Sequence, residues 1–286
     1  MVIQEIKDFS LSRIADSGQC FRMNRLDSGA YRIIAFEKYL EARELGDGKF
    51  EFSCSADDFR DIWTDYFDLA ADYGMLRARI PQSDAFLCAA AEYGWGMRIL
   101  QQDPWEMTVS FIISQRKSIP AIKTAIEAIC TNFGRKLSEG GKQYYTFPSA
   151  QRIADLSCSD IGCCSLGYRD KYVTAAALST VSGMIDFAHL KNTDEASAKA
   201  VLKSQYGIGE KVANCILLFG LHHTNAFPED TWIKRIIDSE YGGEFPRKRH
   251  DGYLGIIQQY MFYYGRSKEY KIAAPLNVLS RPMESV

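Results

Sequence analysis

The stretch Tyr206-Gly207-Ile208-Gly209-Glu210-Lys211-Val212-Ala213-Asn214-Cys215 decides how this sequence is interpreted. Its Gly-x-Gly turn is predicted to open a helix, and Lys211 lies in the first turn of that helix. The N-terminus of a helix carries partial positive charge, so a lysine there is disfavoured as a cation. We therefore expect Lys211 to give up its proton more easily than a free lysine, and a neutral amine is a nucleophile.

A carboxylate, Asp230, follows Lys211 nineteen residues further along the chain. Asp230, in Phe227-Pro228-Glu229-Asp230-Thr231-Trp232, is predicted to cap the next helix. A helix over 210–221 would be about 18 Å long, and the segment 222–229 can stretch to about 25 Å. The chain can therefore return Asp230 to the level of Lys211. An amine and a carboxylate beside a glycine turn form a candidate active site.

Composition indicates an ordinary soluble globular chain. It has 286 residues, of which 47% are hydrophobic and 24% are charged, enough for two or three small domains or one large domain with lobes. Met1 to Asp8 lacks the basic start and apolar run of a signal peptide, and no apolar segment approaches the roughly 18 residues that span a bilayer. We expect an intracellular, soluble protein with no membrane association.

Charge is unevenly distributed along the chain. The net charge is −2, but residues 1–85 contain 11 Lys and Arg against 16 Asp and Glu, whereas the remainder contains 23 against 20. The basic excess therefore accompanies the glycine turn. This is mild support for nucleic-acid binding, since strong DNA binders usually carry a heavier basic patch. Two solvated surfaces of unequal charge would give the same pattern.

Cysteine spacing argues against disulfides and metal centres. The eight cysteines are Cys20, Cys54, Cys88, Cys130, Cys158, Cys163, Cys164 and Cys215. No two have the C-x-x-C spacing of a structural zinc site, and no cysteine after Cys215 could complete a C-terminal iron–sulfur cluster. Most of them are predicted to be small core residues.

The pattern of residues predicts an α+β protein that is mostly α, with a small N-terminal antiparallel β lobe packed on a helical body. Short strand-like runs at 31–36, 39–43 and 49–54 are separated by Asp27-Ser28-Gly29 and Gly46-Asp47-Gly48, which are hairpin signals. After Asp103-Pro104 the chain is predicted to be almost entirely helical. The predicted helices cover 105–113, 119–133, 150–156, 170–181, 194–206, 210–221, 231–240 and 250–265. The predicted domains are 1–98 (β lobe with flanking helices), 99–190 (helical) and 191–286 (helical, with the glycine turn and a C-terminal pocket helix).

At this point the sequence resembles a known family. Gly207 to Cys215 with Asp230 is similar to the motif of the helix-hairpin-helix DNA glycosylases, and in particular the 8-oxoguanine DNA glycosylases. Three further parts of the chain agree in order, and the resemblance runs from about residue 8 to residue 265. They contain the segments Ser17-Gly18-Gln19-Cys20-Phe21-Arg22, Asp103-Pro104-Trp105-Glu106, Ser110-Phe111-Ile112-Ile113-Ser114 and Leu166-Gly167-Tyr168-Arg169-Asp170-Lys171-Tyr172-Val173.

The resemblance implies a bifunctional enzyme that flips a damaged base out of duplex DNA, excises it and cleaves the strand. Lys211 would be the nucleophile that attacks C1′ and forms a Schiff base, from which β-elimination follows. Asp230 would stabilise the positive charge that develops on the sugar. A solvated lysine and a plain helix cap are the alternative interpretations of these two residues.

The same resemblance assigns a base pocket. Cys215 and Phe262 would stack on the two faces of the flipped base, Gln258 would contact its pairing edge, and the carbonyl of Gly18 would accept the N7 proton that 8-oxoguanine carries and guanine lacks. Spacing agrees in part, because Lys211 with Cys215 and Gln258 with Phe262 are i, i+4 pairs that share a helix face. Cys215 and Phe262 could instead be core residues, and Gly18 a simple turn.

Residues toward the opposite strand depart from the family pattern. Where the family commonly has asparagines after Ser114, this chain has Gln115-Arg116-Lys117-Ser118, and Ala121 stands where some members have an arginine that contacts cytosine. Tyr168 matches the stacking wedge and Arg169 the other cytosine-contacting arginine. Gly207 and Gly209 are expected to let the backbone approach a phosphate. Gln115, Arg116 and Lys117 are predicted to contact DNA, because long cationic side chains at this place suit phosphate contact or filling of the gap. The preference for cytosine opposite the lesion is therefore open.

The sequence thus predicts a DNA glycosylase with apurinic/apyrimidinic lyase activity that excises 8-oxoguanine from double-stranded DNA. We expect no metal or redox cofactor, because the chemistry needs only an amine and a carboxylate, and no obligate protein partner, so that the chain acts as a monomer. The alternatives are a glycosylase for alkylated bases without lyase activity, a non-catalytic helix-hairpin-helix DNA-binding module, and a helical protein–protein adaptor.

Overall fold

The computed structural model describes residues 1–273, which form a mostly helical molecule with a small antiparallel sheet near the N-terminus. The predicted α+β class is confirmed. The strands are β1 (Val2–Glu5), β2 (Met23–Arg25), β3 (Tyr31–Ala35), β4 (Lys38–Gly46), β5 (Lys49–Phe52), β6 (Lys136–Glu139) and β7 (Lys142–Tyr145). The helices are α1 (Leu11–Asp16), α2 (Ala56–Asp58), α3 (Thr64–Tyr66), α4 (Tyr73–Ala78), α5 (Ala85–Tyr93), α6 (Pro104–Ile113), α7 (Ile119–Phe133), α8 (Ala150–Ala154), α9 (Cys158–Ile161), α10 (Arg169–Val181), α11 (Phe187–Lys191), α12 (Glu195–Lys203), α13 (Glu210–Phe219), α14 (Thr231–Tyr241), α15 (Leu254–Gly265) and α16 (Lys268–Ala273).

The N-terminal sheet has the strand order β1-β5-β4-β3-β2, with every pair antiparallel. Strands β3 and β4 are joined by Phe36 and Glu37, whose φ angles are 48° and 63°. Two consecutive left-handed residues form the hairpin turn whose twist matches that of the flanking strands. A register shift between Glu44 and Gly46 marks a bulge in β4. The two predicted hairpin signals lie at the β2–β3 and β4–β5 turns, whereas the β3–β4 turn at Phe36 and Glu37 had no such signal in the sequence.

One face of this sheet packs on a short helical segment. Phe50 and Phe52 from β5 are buried with Trp63 and Phe67, which lie on and after a single π-helical turn at Phe59–Trp63. The extra residue of a π turn changes the direction of the side chains that follow it.

Helix α13 lies at the centre of the helical body. Every residue from Val212 to Phe219 is buried. Helix α6 packs so closely on it that a Cβ on Gly220 would lie 2.9 Å from the Cα of Pro104, and α15 approaches until a Cβ on Gly255 would lie 2.3 Å from Cδ1 of Leu218. A helix surrounded by apolar partners is held rigidly. Whatever side chains α13 presents at its exposed N-terminal end are therefore fixed in position.

Several predicted element boundaries need correction. The helix predicted over 250–265 begins only at Leu254, because Gly252 has a φ of 89° and a separate 3-10 turn covers Arg247–His250. No helix was predicted over 11–16, where α1 forms and the side chain of Ser10 caps it by accepting from the Arg13 N–H. Helix α11 was also missed, because it is only five residues long.

Two further findings concern the composition arguments. Cys20, Cys54, Cys130, Cys164 and Cys215 are buried free thiols, as predicted for small core residues. None of the helices formed by residues 1–273 is both long and apolar enough to span a lipid bilayer.

Candidate active site

The two glycines of the hairpin between α12 and α13 have different structural roles. Gly207 has a φ of 86°, and a Cβ there would lie 2.2 Å from Cγ of Tyr172, so only glycine fits. Gly209 has an extended conformation, and a Cβ there would meet no atom within 4 Å. Gly209 also provides no side chain to cap the first N–H groups of α13. Open space beside uncapped N–H groups suits the close approach of an anion.

An acidic residue at this helix start is neutralised by its neighbours. Glu210 is the first residue of α13, and its Oε2 lies 2.6 Å from Nζ of Lys203, while its Oε1 lies 3.7 Å from Nζ of Lys199. The hydrogen bond from Lys203 lowers the pKa of the Glu210 carboxyl. Two cations on α12 therefore offset the carboxylate that would otherwise repel an anion at the hairpin.

The Lys211 side chain is held by residues of α6. Its Nζ lies 3.3 Å from Oγ of Ser114 and 5.1 Å from the centroid of the Phe111 ring. The Ser114 hydroxyl donates its own proton to the carbonyl of Phe111 at 2.8 Å, so its lone pairs are left to face the lysine. Lys211 is half-buried. The amine is therefore positioned by packing rather than free in solvent, as a solvated surface lysine would be.

Asp230 caps α14, as predicted. Its Oδ1 accepts hydrogen bonds from the backbone N–H groups of Trp232 at 3.0 Å and Ile233 at 2.9 Å. Both bonds use the same oxygen, so Oδ2 is not needed for the cap. The cap fixes the orientation of the carboxyl group while one oxygen is left for another positive centre.

Lys211 and Asp230 line the same cleft. The ten residues that line it come from the loop after α1, from α6, α13 and α15, and from the segment before α14. They are Gly18, Phe111, Lys211, Cys215, Phe219, Pro228, Asp230, Gln258, Gln259 and Phe262. The structure therefore brings together the predicted catalytic pair and all four residues of the predicted base pocket.

The cleft is narrow in this structure. Its volume is only about 40 Å³. Ligand pockets are typically about 300 Å³ or larger. Phe262 lies against the Gly18 loop, since a Cβ on Gly18 would lie 3.2 Å from its Cε1. The cleft must therefore widen to admit a purine, and Phe262, which lines it, is only half-buried.

The Gly18 loop is attached to the helical body by its neighbour Gln19. This fully buried side chain donates to the carbonyl of Arg98 at 2.8 Å and accepts from the N–H of Leu100 at 2.8 Å. Gln102 in turn donates to the carbonyl of Gln19 at 2.8 Å. Gly18 itself has a φ of 80°. The backbone of this loop is therefore fixed at the mouth of the cleft by three long-range hydrogen bonds.

Cys215 offers a neutral thiol to the cleft. It is 2% exposed, and burial raises its pKa to about 11, although the nearby Lys211 opposes this shift. A thiol with this pKa remains protonated at neutral pH and is a poor nucleophile. Its sulfur is instead a polarisable surface against which a planar ring can pack.

Residues 114–118 and 165–168 form two neighbouring loops, which we call the paired loops. Gln115 is half-buried and donates from Nε2 to the carbonyls of Ile112 and Gly207, both at 3.1 Å. The Lys117 ammonium donates to the carbonyl of Ser165 at 2.7 Å. Arg116 is exposed and has a φ of 52°. Of the three predicted DNA-contacting residues in the first loop, Gln115, Arg116 and Lys117, only Arg116 is exposed.

Arg169 links the paired loops to each other. It is 8% exposed, and its guanidinium donates to the carbonyl of Leu166 at 3.0 Å and to that of Gln115 from two nitrogens. Tyr168 is 50% exposed beside it, with the Arg169 guanidinium 4.5 Å from the centroid of its ring. The predicted wedge is thus exposed. Three of the five guanidinium N–H donors are thus used inside the protein, and the contact of Arg169 with cytosine stays a prediction.

A larger cavity lies away from this chemistry. It encloses about 670 Å³ and is lined by Glu229, Ile237 and residues 243–249. None of the predicted catalytic or base-contacting residues lines it. Volume alone is therefore a poor guide here, and the narrow cleft is the better candidate because its polar groups converge.

Sequence reasoning missed Phe111, Phe219, Pro228 and Gln259 as lining residues. Phe219 could have been found, because Lys211, Cys215 and Phe219 are spaced i, i+4, i+8 along one face of α13. Phe111 looks like any core residue of α6. Gln259 could also have been predicted, because it is a second polar residue beside Gln258 in a helix that is otherwise apolar and aromatic.

Comparisons with known proteins agree with this geometry. Residues 1–108 match the family model of the 8-oxoguanine DNA glycosylase N-terminal domain, and residues 109–246 match that of the HhH-GPD superfamily base excision DNA repair proteins. The chain is 30% identical to the probable N-glycosylase/DNA lyase of Methanothermobacter thermautotrophicus over 60% of this chain and 64% of that protein. N-glycosylase/DNA lyases of Saccharomyces cerevisiae and Arabidopsis thaliana are matched over only 46% and 40% of their length. The chain thus spans less than two thirds of these curated relatives.

Two solved structures are similar over nearly their whole length. MBOgg1 in complex with a low-affinity DNA ligand has a TM-score of 0.88 and 37% identity, covering 92% of this chain and 94% of that one. The 8-oxoguanine glycosylase/lyase of Clostridium acetobutylicum, in complex with double-stranded DNA containing cytosine opposite 8-oxoguanine, has a TM-score of 0.85 and 36% identity, with coverage of 92% and 94%.

Proposed function

This chain belongs to the 8-oxoguanine DNA glycosylase family of HhH-GPD superfamily base excision DNA repair proteins, and we propose that it excises 8-oxoguanine from duplex DNA and then cleaves the strand at the abasic site. One observation carries the proposal. The amine of Lys211 and the carboxyl of Asp230 line one cleft together with four residues suited to hold an oxidised purine. A plain helix cap and a surface lysine would have no reason to meet in this way.

The chemistry assigns one step to each residue. Nζ of Lys211 attacks C1′ of the flipped nucleotide, and the bond from C1′ to the base breaks with its electron pair leaving on the base. Asp230 faces the positive charge that develops on the sugar, and it is already oriented by its bonds to Trp232 and Ile233. Loss of the ring oxygen from C1′ then gives the Schiff base, and β-elimination from it breaks the 3′ phosphodiester bond.

The cleft selects the base before the chemistry. Phe262 moves aside to admit the ring and then covers one of its faces, while the neutral Cys215 sulfur contacts the other. The carbonyl of Gly18 accepts the N7 proton of 8-oxoguanine, and guanine lacks that proton. A buried acceptor left without a donor is costly, so this one bond discriminates against the undamaged base.

DNA is held mainly through its backbone. Phosphates flanking the flipped nucleotide approach the open space at Gly209 and the first N–H groups of α13. Arg116 and the Tyr168 ring act from the paired loops, where the flipped base leaves a gap in the duplex. Double-stranded DNA containing an oxidised purine is therefore the proposed partner.

The proposal is tested with duplexes that carry 8-oxoguanine opposite each of the four bases. Base release and strand scission are scored separately, and borohydride is added in a parallel set to trap a Schiff base. We expect release, scission and a covalent protein–DNA adduct for the wild type. Lys211→Gln should abolish the adduct, and Lys234→Gln, at an exposed position on α14, is the matched control and should retain it.

The rival functions give different results in the same assay. A glycosylase for alkylated bases would release 3-methyladenine without scission or trapping, because that chemistry uses the aspartate and water. A binding module would retain salt-dependent affinity for the duplex without releasing any base. Either outcome contradicts the proposal.

A further inference from the structure

Gln259 has a buried oxygen that the proposed mechanism does not use. Gln258 and Gln259 are adjacent on α15, each is 3% exposed, and both line the cleft that contains Lys211 and Asp230. Among residues 1–273, Oε1 of Gln259 is buried and has no hydrogen-bond partner. Buried polar atoms in native proteins are almost always paired, so an unpaired one on a residue that lines a candidate ligand site requires an explanation.

The orientation of both amides is fixed by a single backbone carbonyl. Pro228 O can only accept, and the Gln258 amide lies 2.9 Å from it, so Gln258 must present Nε2 there. Its Oε1 therefore faces Gln259, which must in turn present Nε2, at 2.9 Å. Flipping either amide would bring two oxygens together. Oε1 of Gln259 is consequently the atom left without a partner at the end of this series of hydrogen bonds. No other orientation of the two amides satisfies both bonds.

After these internal bonds the two glutamines still have groups to offer to a ligand. An amide group has two N–H donors and two acceptor lone pairs on its oxygen. Gln258 therefore retains one N–H and one lone pair, and Gln259 retains its whole oxygen. Together they offer a donor and two acceptors, which is the combination on the pairing edge of cytosine. A guanine-type edge complements it, with O6 as acceptor and N1–H and the exocyclic amino group as donors.

We propose that Oε1 of Gln259 accepts a hydrogen bond from the exocyclic amino group of the flipped purine, so that the Gln258–Gln259 pair replaces the cytosine that the base has left. This inference rests on the proposed function. Adenine-type bases present an acceptor where guanine presents N1–H, and they lack the 2-amino group. The pair therefore selects guanine-type oxidised purines, in addition to the contact at Gly18 that selects the oxidised form.

The hydrogen bond between Oε1 of Gln259 and the amino group of the base is tested by removing each partner in turn. The substrates are duplexes with 8-oxoguanine or with 8-oxohypoxanthine, which differ only by the amino group, each opposite cytosine. The protein variants are wild type, Gln259→Met, which has nearly the same shape without the oxygen, and Gln151→Met as the same substitution at an exposed position on α8. Gln259→Ala adds no bulk and gives a second measurement if the Met variant is unstable. Single-turnover rates of base release are compared.

We expect the wild type and Gln151→Met to release 8-oxoguanine roughly tenfold faster than 8-oxohypoxanthine, and Gln259→Met to lose most of that ratio. Borohydride trapping of Gln151→Met on an abasic duplex should equal that of the wild type. If Gln259→Met slows both substrates equally, or the wild type shows no preference, the inference is overturned while the proposed function stands. If the wild type releases 8-oxoguanine from no duplex, the proposed function fails first and the inference with it.

Discussion

The cleft and the paired loops hold their polar groups in different ways. In the cleft, Lys211 and Asp230 lie at the starts of two helices anchored in the core, and their bonds leave reactive atoms available. In the paired loops, the cations of Lys117 and Arg169 bond to backbone carbonyls of the neighbouring loop. The reactive groups of the cleft are therefore preorganised, whereas much of the positive charge expected to contact the opposite strand holds the two loops together.

The largest effect is expected from Asp230→Asn, on the preorganised side. Asparagine caps a helix about as well as aspartate, so the cap of α14 and the stability should change little. Loss of the negative charge facing the sugar should slow base release by about 10²–10³-fold. The measurement is a single-turnover rate with thermal unfolding in parallel.

Asp194→Asn is the matched control, because Asp194 caps α12 in the same way by accepting from the Ser197 N–H at 3.0 Å. That variant should retain the wild-type rate. An equal loss in both variants would mean that capping, not the charge, is what Asp230 supplies.

The second prediction separates the two hairpin glycines. Gly207→Ala places a Cβ 2.2 Å from the Tyr172 ring at a left-handed position, and should lower the free energy of unfolding by about 2–4 kcal/mol. Gly209→Ala meets no neighbouring atom and should unfold like the wild type, yet bind duplex DNA more weakly, because the methyl group intrudes where a phosphate approaches. Denaturant unfolding and binding titrations check both. Unchanged DNA affinity in Gly209→Ala would contradict the phosphate site.

Much of this arrangement follows from the sequence, and the rest does not for physical reasons. Strong local signals located the starts of α13 and α14, since a Gly-x-Gly turn and an aspartate cap act within a few residues. Helix α1 was missed because a six-residue helix depends on tertiary packing rather than on its own propensity. The resemblance and the i, i+4 spacing predicted Cys215 and Phe262 as cleft residues. The contact of Phe262 with the Gly18 loop and the internal bonds of Arg169 were not predicted, because they depend on contacts between distant segments.

A smaller effect is expected in the paired loops, where Arg116 is exposed and Lys117 is bonded to Ser165. Arg116→Gln should lower DNA affinity similarly for all opposite bases and reduce the slope of log affinity against log salt by about 1. Lys117→Gln should change the slope less, because the Lys117 ammonium already donates a hydrogen bond to the carbonyl of Ser165 in the neighbouring loop. Binding titrations at several salt concentrations measure both. A larger slope change for Lys117 than for Arg116 would contradict the contrast between free and internally bonded cations.

The smallest effect concerns pH. Burial, and secondarily the charge of Arg169, lowers the pKa of the Lys117 ammonium. Lysine is charged below its pKa, so this group loses its charge at a lower pH than an ordinary lysine as the solution becomes alkaline. The wild type should then lose slightly more DNA affinity than Lys117→Gln as the pH rises toward 10.5, the usual pKa of a lysine side chain. If the DNA affinity of the two proteins fell equally with rising pH, this prediction would be wrong.

The central claim is that the amine of Lys211 reaches C1′ of a nucleotide held in the cleft. The most direct measurement is to trap the wild-type protein with borohydride on a duplex containing 8-oxoguanine, digest the adduct and identify the modified residue by mass spectrometry. The account predicts a single modified amine at Lys211. An adduct on another lysine or on the N-terminal amine of Met1, with Lys211 unmodified, would contradict it.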